Sequence, residues 1–211
     1  MENGGTVSQK YASFMKMTEI PNNILEKLAT NQSQYAENLW KVLKYADMDA
    51  LSKTNLTFDE KMEIVWSPDK MTSVTTQDDF NVFLKPLMAS ALNSDTSQTQ
   101  LRLYHYDTIA QTQIKSTLVY DFAITTNESS CMVYNENNIK VDRVDLIVAY
   151  LVEILNMTDL GIGVNFLRFD RLDGIRCHAT QNINNSKSLY GQTLTMALLY
   201  IDASLGGVCN G

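Results

Sequence analysis

Cys177 and His178 place a nucleophile beside a base. Thiolate chemistry needs the imidazole within hydrogen-bond reach of the sulfur. The surrounding residues Ile175 to Ala179 read as a strand, in which successive side chains point to opposite faces. The pair is therefore read as a structural cysteine beside a surface histidine. His105 and His178 are the chain's 2 histidines, so a His-rich metal site is not available, and a mixed site would need carboxylates from remote segments. Asp170 and Asp173, with Asp159 and a further acid such as Asp121, outline a metal-dependent hydrolase, in which grouped carboxylates hold divalent ions against a phosphate. Phe169-Asp170-Arg171-Leu172-Asp173-Gly174 also reads as a polar hairpin loop whose aspartates supply turn geometry, and that reading is preferred. Gly161-Ile162-Gly163 is too short for a phosphate cradle, and neither G-x-x-x-x-G-K-[ST] nor G-x-G-x-x-G occurs. No catalytic, cofactor-binding or metal-ligating residue is assigned.

Arg102-Leu103-Tyr104-His105-Tyr106 mixes a cation with aromatic rings, as base-stacking surfaces do. A single cation is not an electrostatic funnel, and amphipathic strand packing explains the same pattern. The charge balance agrees: 17 Lys and Arg against 24 Asp and Glu give a net charge of −7, and the basic residues are scattered. Nucleic-acid binders draw most of their affinity from clustered Lys and Arg. Cys131, Cys177 and Cys209 are odd in number and lack C-x-x-C spacing, which fits a reducing compartment better than a disulfide framework. Residues Met1 to Lys16 hold no apolar stretch of signal-peptide length, and nowhere do eighteen apolar residues run together. Export by that route and a spanning helix are not expected.

The elements that must position these side chains follow from spacing. Asn22 or Asn23 caps a short helix burying Ile24, Leu25 and Leu28. A second helix begins near Asn31 or Ser33, with Tyr35, Leu39, Val42 and Leu43 on one side. Together they predict an αα-hairpin. Thr57-Phe58-Asp59-Glu60 has capping-box spacing, and the helix it starts, with Met62, Ile64 and Val65, ends before Ser67-Pro68. Asn93 to Gln100 has linker composition. It divides a helical N-terminal docking region, 1–96, from an α+β domain, 97–211.

In the second region Leu101, Leu103 and His105 alternate with Arg102, Tyr104 and Tyr106. Leu118, Tyr120, Phe122 and Ile124 likewise alternate with Val119, Asp121 and Ala123. A helix opened near Asp142 carries Val144, Ile147, Val148, Leu151, Ile154 and Leu155 at helical spacing. Val164 to Phe169, Ile175 to Ala179 and Leu189 to Ile201 return to strand composition, with Asp173-Gly174 as a turn. The fold class expected is α+β: a mixed or antiparallel sheet covered by one long helix and preceded by a helical region.

The order of a strand pair, one helix starting near Arg143, then strands ending in Tyr190-Gly191-Gln192-Thr193-Leu194-Thr195-Met196, resembles the tail-terminator and tail-completion proteins in the necks of tailed bacteriophages. The resemblance covers residues 101–202. In that family an aromatic-Gly pair commonly opens the last strand and an Arg or Lys stands near the helix start, places that Tyr190-Gly191 and Arg143 occupy here. The resemblance implies a non-enzymatic virion structural protein, made in the host cytoplasm, that forms a homo-oligomeric ring at the head-to-tail junction. It implies portal, neck or tail proteins as partners, with DNA passing through without specific binding and no membrane contact. An acidic chain suits such a passage, because like charge repels phosphate. The first hundred residues depart from the family, whose members usually have a shorter helical start, so a connector clamped to the portal is a second form of the reading. The alternatives from other classes are the metal-dependent hydrolase above and a cytoplasmic adaptor binding a protein through residues 1–96.

Overall fold

The computed structural model describes residues 19–70, 79–85, 98–110, 115–156, 158–159, 166–168, 176–180 and 189–201. Three helices come first: α1 (Ile20–Thr30), α2 (Gln34–Lys44) and α3 (Phe58–Glu63). Helix α1 begins two residues before the asparagines that composition favours as caps. Pro21 lies in its first turn, where a missing N–H costs nothing. Ser33 caps α2 by accepting from the Ala36 amide at 3.3 Å, and the Thr57/Glu60 capping box of α3 is complete. Leu39, Val42 and Leu43 are buried as expected, whereas Tyr35 is turned out of the core and 46% exposed.

The sheet runs β1 (Val82–Phe83), β2 (Thr99–Ala110), β3 (Lys115–Asn127), β9 (Leu189–Ile201), β7 (Phe166–Arg168), β6 (Thr158–Asp159), with β8 (Arg176–Thr180) also on β9. Among the described strands β1 and β2 pair in parallel and the other pairs are antiparallel, so the sheet is mixed and the class is α+β. β4 (Met132–Tyr134) and β5 (Lys140–Asp142) form a separate hairpin leading into α4 (Arg143–Leu155). Strands β7 and β8 pair with successive stretches of the same edge of β9, Ala197 to Leu199 and then Gly191 to Thr195, both antiparallel to it. They therefore run in the same direction and do not pair with each other. Asp170, Asp173 and Gly174 themselves lie outside the described residues, as do Gly161 to Gly163 and Cys209.

The core lies between one face of the sheet and the helices. Leu118, Tyr120, Phe122 and Ile124 of β3 and Leu194, Met196 and Leu198 of β9 meet Val144, Ile147, Leu151 and Leu155 of α4. Each such side chain contributes about 1.5–3 kcal/mol on burial. The cover is not one long helix: α4 has 13 residues and shares the layer with α2, which packs on both α4 and β2. Ile20, Ile24, Leu39 and Val42 join the same apolar cluster, so the core is continuous across the linker-like stretch. Among the described residues no helix is long and apolar enough to cross a membrane.

Candidate functional site

Arg143 joins the helical layer to the sheet domain. Asp142 caps α4, accepting from the amides of Val144 at 2.8 Å and Asp145 at 3.2 Å, which places Arg143 in the first turn. Its side chain leaves that helix and reaches the C-terminal end of α2. Nε donates to the Ser130 carbonyl at 2.6 Å, Nη1 to Val42 at 2.8 Å and Tyr45 at 2.6 Å, and Nη2 to Ala46 at 2.8 Å and Asp47 at 2.7 Å. All five donors are used on carbonyls, several of which a helix end leaves without an internal partner. The cation also meets the negative end of the α2 dipole. Burial lowers its pKa to about 10.

This clamp sets α2 beside the β4–β5 hairpin and opens a cleft of about 370 Å³, lined in part by Gln34, Asn38, Asp49, Tyr134, Glu136 and Asn138. The hairpin turn is built by asparagine chemistry. The Asn135 side chain accepts from the amides of Asn137 and Ile139, and Asn138 adopts a left-handed conformation, φ 57°, which asparagine tolerates. The Tyr134 amide donates to Met48 at 2.8 Å and ties the hairpin to the loop after α2. Residues one helical turn apart then line up on α2: Gln34 Nε2 donates to Asn38 Oδ1 at 2.9 Å, and Asn38 Nδ2 donates to Glu136 Oε1 at 2.7 Å. The Tyr150 hydroxyl of α4 donates to the same carboxylate oxygen at 2.5 Å.

The electrostatics of the cleft favour binding over proton transfer. Burial pushes the Glu136 carboxyl up, but the hydrogen bonds from Tyr150, its own backbone and Asn38 outweigh it and the net shift is downward. Burial and then Glu136 raise the Tyr150 phenol above its ordinary value, so it stays a donor. Asp49 is also held low, chiefly by Lys53. A carboxylate held ionised is a poor general acid or base at neutral pH. What the cleft offers is hydrogen-bond acceptors near exposed aromatic rings: Tyr134, and Tyr35, whose ring lies tilted at 41° to that of Tyr150 with centroids 6.0 Å apart.

A second apolar group stands on the sheet. The register slips between His105 and Asp107, a bulge that leaves Tyr106 without a partner on β3. Bulges re-aim side chains and discourage strand addition at an edge. Tyr106 is 65% exposed and Ile109 48%.

Among the described residues, those singled out for chemistry do not assemble into a group of metal ligands. Cys177 donates to Gln192 Oε1 at 2.6 Å, and Gln192 Nε2 donates to Asp145 Oδ1 at 2.5 Å, with burial raising the thiol pKa. His178 is the next residue of β8 and is registered with Thr193. His105 bonds Thr108 through Nε2 at 2.7 Å and packs edge-on against Tyr120. Asp121 is buried and accepts from Thr195 Oγ1 at 2.6 Å. Asp159 is on β6. Among the described residues no three His, Cys, Asp or Glu side chains gather at metal-binding distance. Tyr190-Gly191 opens β9 beside Thr125 and Thr126, where a Cβ on Gly191 would stand 2.0 Å from the Ile124 carbonyl oxygen, so the strand approach itself demands glycine. Sequence reasoning missed Asn38, Glu136 and Tyr150; the turn signal Asn135-Glu136-Asn137-Asn138 was the visible trace of the hairpin that carries Glu136. In comparisons with protein-family models, curated proteins and solved structures, nothing matches the chain.

Proposed function

We propose that the chain is a non-enzymatic structural protein that assembles into a ring at the head-to-tail junction of a tailed bacteriophage. The reading assigns it to the virion as a neck connector or tail terminator, with 97–211 as the ring body and 1–96 docking portal, neck or tail subunits. The observation that carries this reading is the presence of two different exposed apolar groups on different layers: Tyr106 and Ile109 on β2, and Tyr35, Tyr134 and Ile139 on α2 and the β4–β5 hairpin. A head-to-tail ring needs two unlike patches on each subunit, whereas a two-fold dimer needs one self-complementary patch. The acceptor-lined cleft suits Lys, Arg or amide donors of a partner, and the acidic balance suits a passage that does not grip DNA. Light scattering with negative-stain imaging tests the proposal. Rings are expected from the purified chain or on adding the portal subunit, and Ile109→Asp is expected to lower the ring fraction without unfolding the subunit.

A further inference from the structure

Arg143 and Arg102 are both fully buried, and they differ in what meets them. Arg143 uses every donor. Arg102, on β2, uses Nη2 alone, donating to Gln100 Oε1 at 2.9 Å, while its Nε and Nη1 are buried without an acceptor. Its guanidinium carbon lies 4.0 Å from the centre of the Phe83 ring. Phe83 stacks on Trp66 at 6.4 Å and 24°, and Lys85 Nζ lies 3.5 Å from the centre of the Trp66 ring. Trp66 Nε1 and Thr125 Oγ1 are also buried without partners. Thr125 is registered with Gln100, which makes it a diagonal neighbour of Arg102 on the same sheet face.

Two cations, an indole N–H and a hydroxyl thus stand around one aromatic stack, and among the described residues no carboxylate forms an ion pair with either cation. Cation–π contact offsets part of the desolvation of Arg102 but gives its N–H groups no acceptor. Burial and the charge of Arg102 both lower the pKa of Lys85. An anion would relieve that repulsion and supply the acceptors together. We propose that Arg102, Lys85 and the Trp66 N–H form a binding site for a single oxyanion group, a carboxylate or a phosphate. Lys85 is the partly exposed member of the set.

The test uses the full chain, with sodium acetate and sodium phosphate each titrated against sodium chloride at equal ionic strength, following melting temperature and tryptophan fluorescence. At ten times the dissociation constant the melting temperature is expected to rise by about 3–6 °C, with a saturable change in Trp66 emission that Trp66→Phe removes. Response to acetate alone identifies a carboxylate site, and response to phosphate alone identifies a phosphate site. Both responses disappear in Arg102→Met, and Lys85→Met, on the partly exposed side chain, weakens the apparent affinity several-fold. No saturable response beyond chloride, or a response unchanged in Lys85→Met, overturns the proposal.

Discussion

The two buried arginines should respond in opposite ways to the same substitution. Methionine matches the length of the arginine stem but offers no donor, so Arg143→Met removes five hydrogen bonds to backbone carbonyls. Bonds to a charged group contribute about 1.5–3 kcal/mol each, roughly 7–15 kcal/mol for five. Against this stands the cost of burying the guanidinium, which the drop in pKa from 12.5 to about 10 puts at roughly 3 kcal/mol. The loss is therefore at least about 4 kcal/mol, a large fraction of the stability of an ordinary domain. Arg102 bears the same depression of pKa, to about 10, but makes one bond. Arg102→Met is expected to change stability by no more than about 1.5 kcal/mol, in the stabilising direction. The assay is urea unfolding followed by circular dichroism in chloride buffer free of carboxylate and phosphate. Hydrogen exchange at residues 42–48 supplies a local readout, which Arg143→Met accelerates and Arg102→Met leaves alone. An Arg143→Met protein within about 1 kcal/mol of wild type, or an Arg102→Met protein equally destabilised, refutes the reasoning.

Gly191→Ala forces a Cβ against the Ile124 carbonyl and is expected to cost about 1–3 kcal/mol by thermal unfolding. Lys61 Nζ bonds Glu37 Oε1 at 2.7 Å and the Ala29 carbonyl at 3.2 Å, both side chains being buried. Lys61→Met leaves the Glu37 charge alone and is expected to cost about 3–5 kcal/mol, most of which the added change Glu37→Gln recovers. Because the folded-state pKa of Glu136 lies below its ordinary 4.5, its contribution is fully present above that value and is lost as pH falls through the folded pKa. The melting-temperature gap between wild type and Glu136→Gln should therefore be widest above about pH 5 and close on acidification, and a gap independent of pH contradicts the network.

What could be read from the chain was periodic. The thirteen residues of α4 carry their apolar side chains at helical spacing, the Thr57/Glu60 box announces α3, and the alternation in Leu189 to Ile201 marks β9 from end to end. What could not be read depended on partners distant in sequence. Nothing near Arg102 signals that a residue alternating outward from Leu101 and Leu103 will be covered, because Phe83 and Trp66 arrive through β1 and the Val65 to Val82 bridge. The cleft is hidden for the same reason. Asn38, Glu136 and Tyr150 come from three elements, and only the short Asn-rich turn is a local signal. Strands β4 and β5 have three residues each, too few for alternation to register.

Ring assembly is decided by the mass of the purified chain in light scattering, alone and with the portal subunit, with negative-stain images of any large species. A closed ring with an open centre is expected in at least one of those conditions, lost or weakened by Ile109→Asp. A particle that stays at the 23.8 kDa of one chain in both conditions contradicts it.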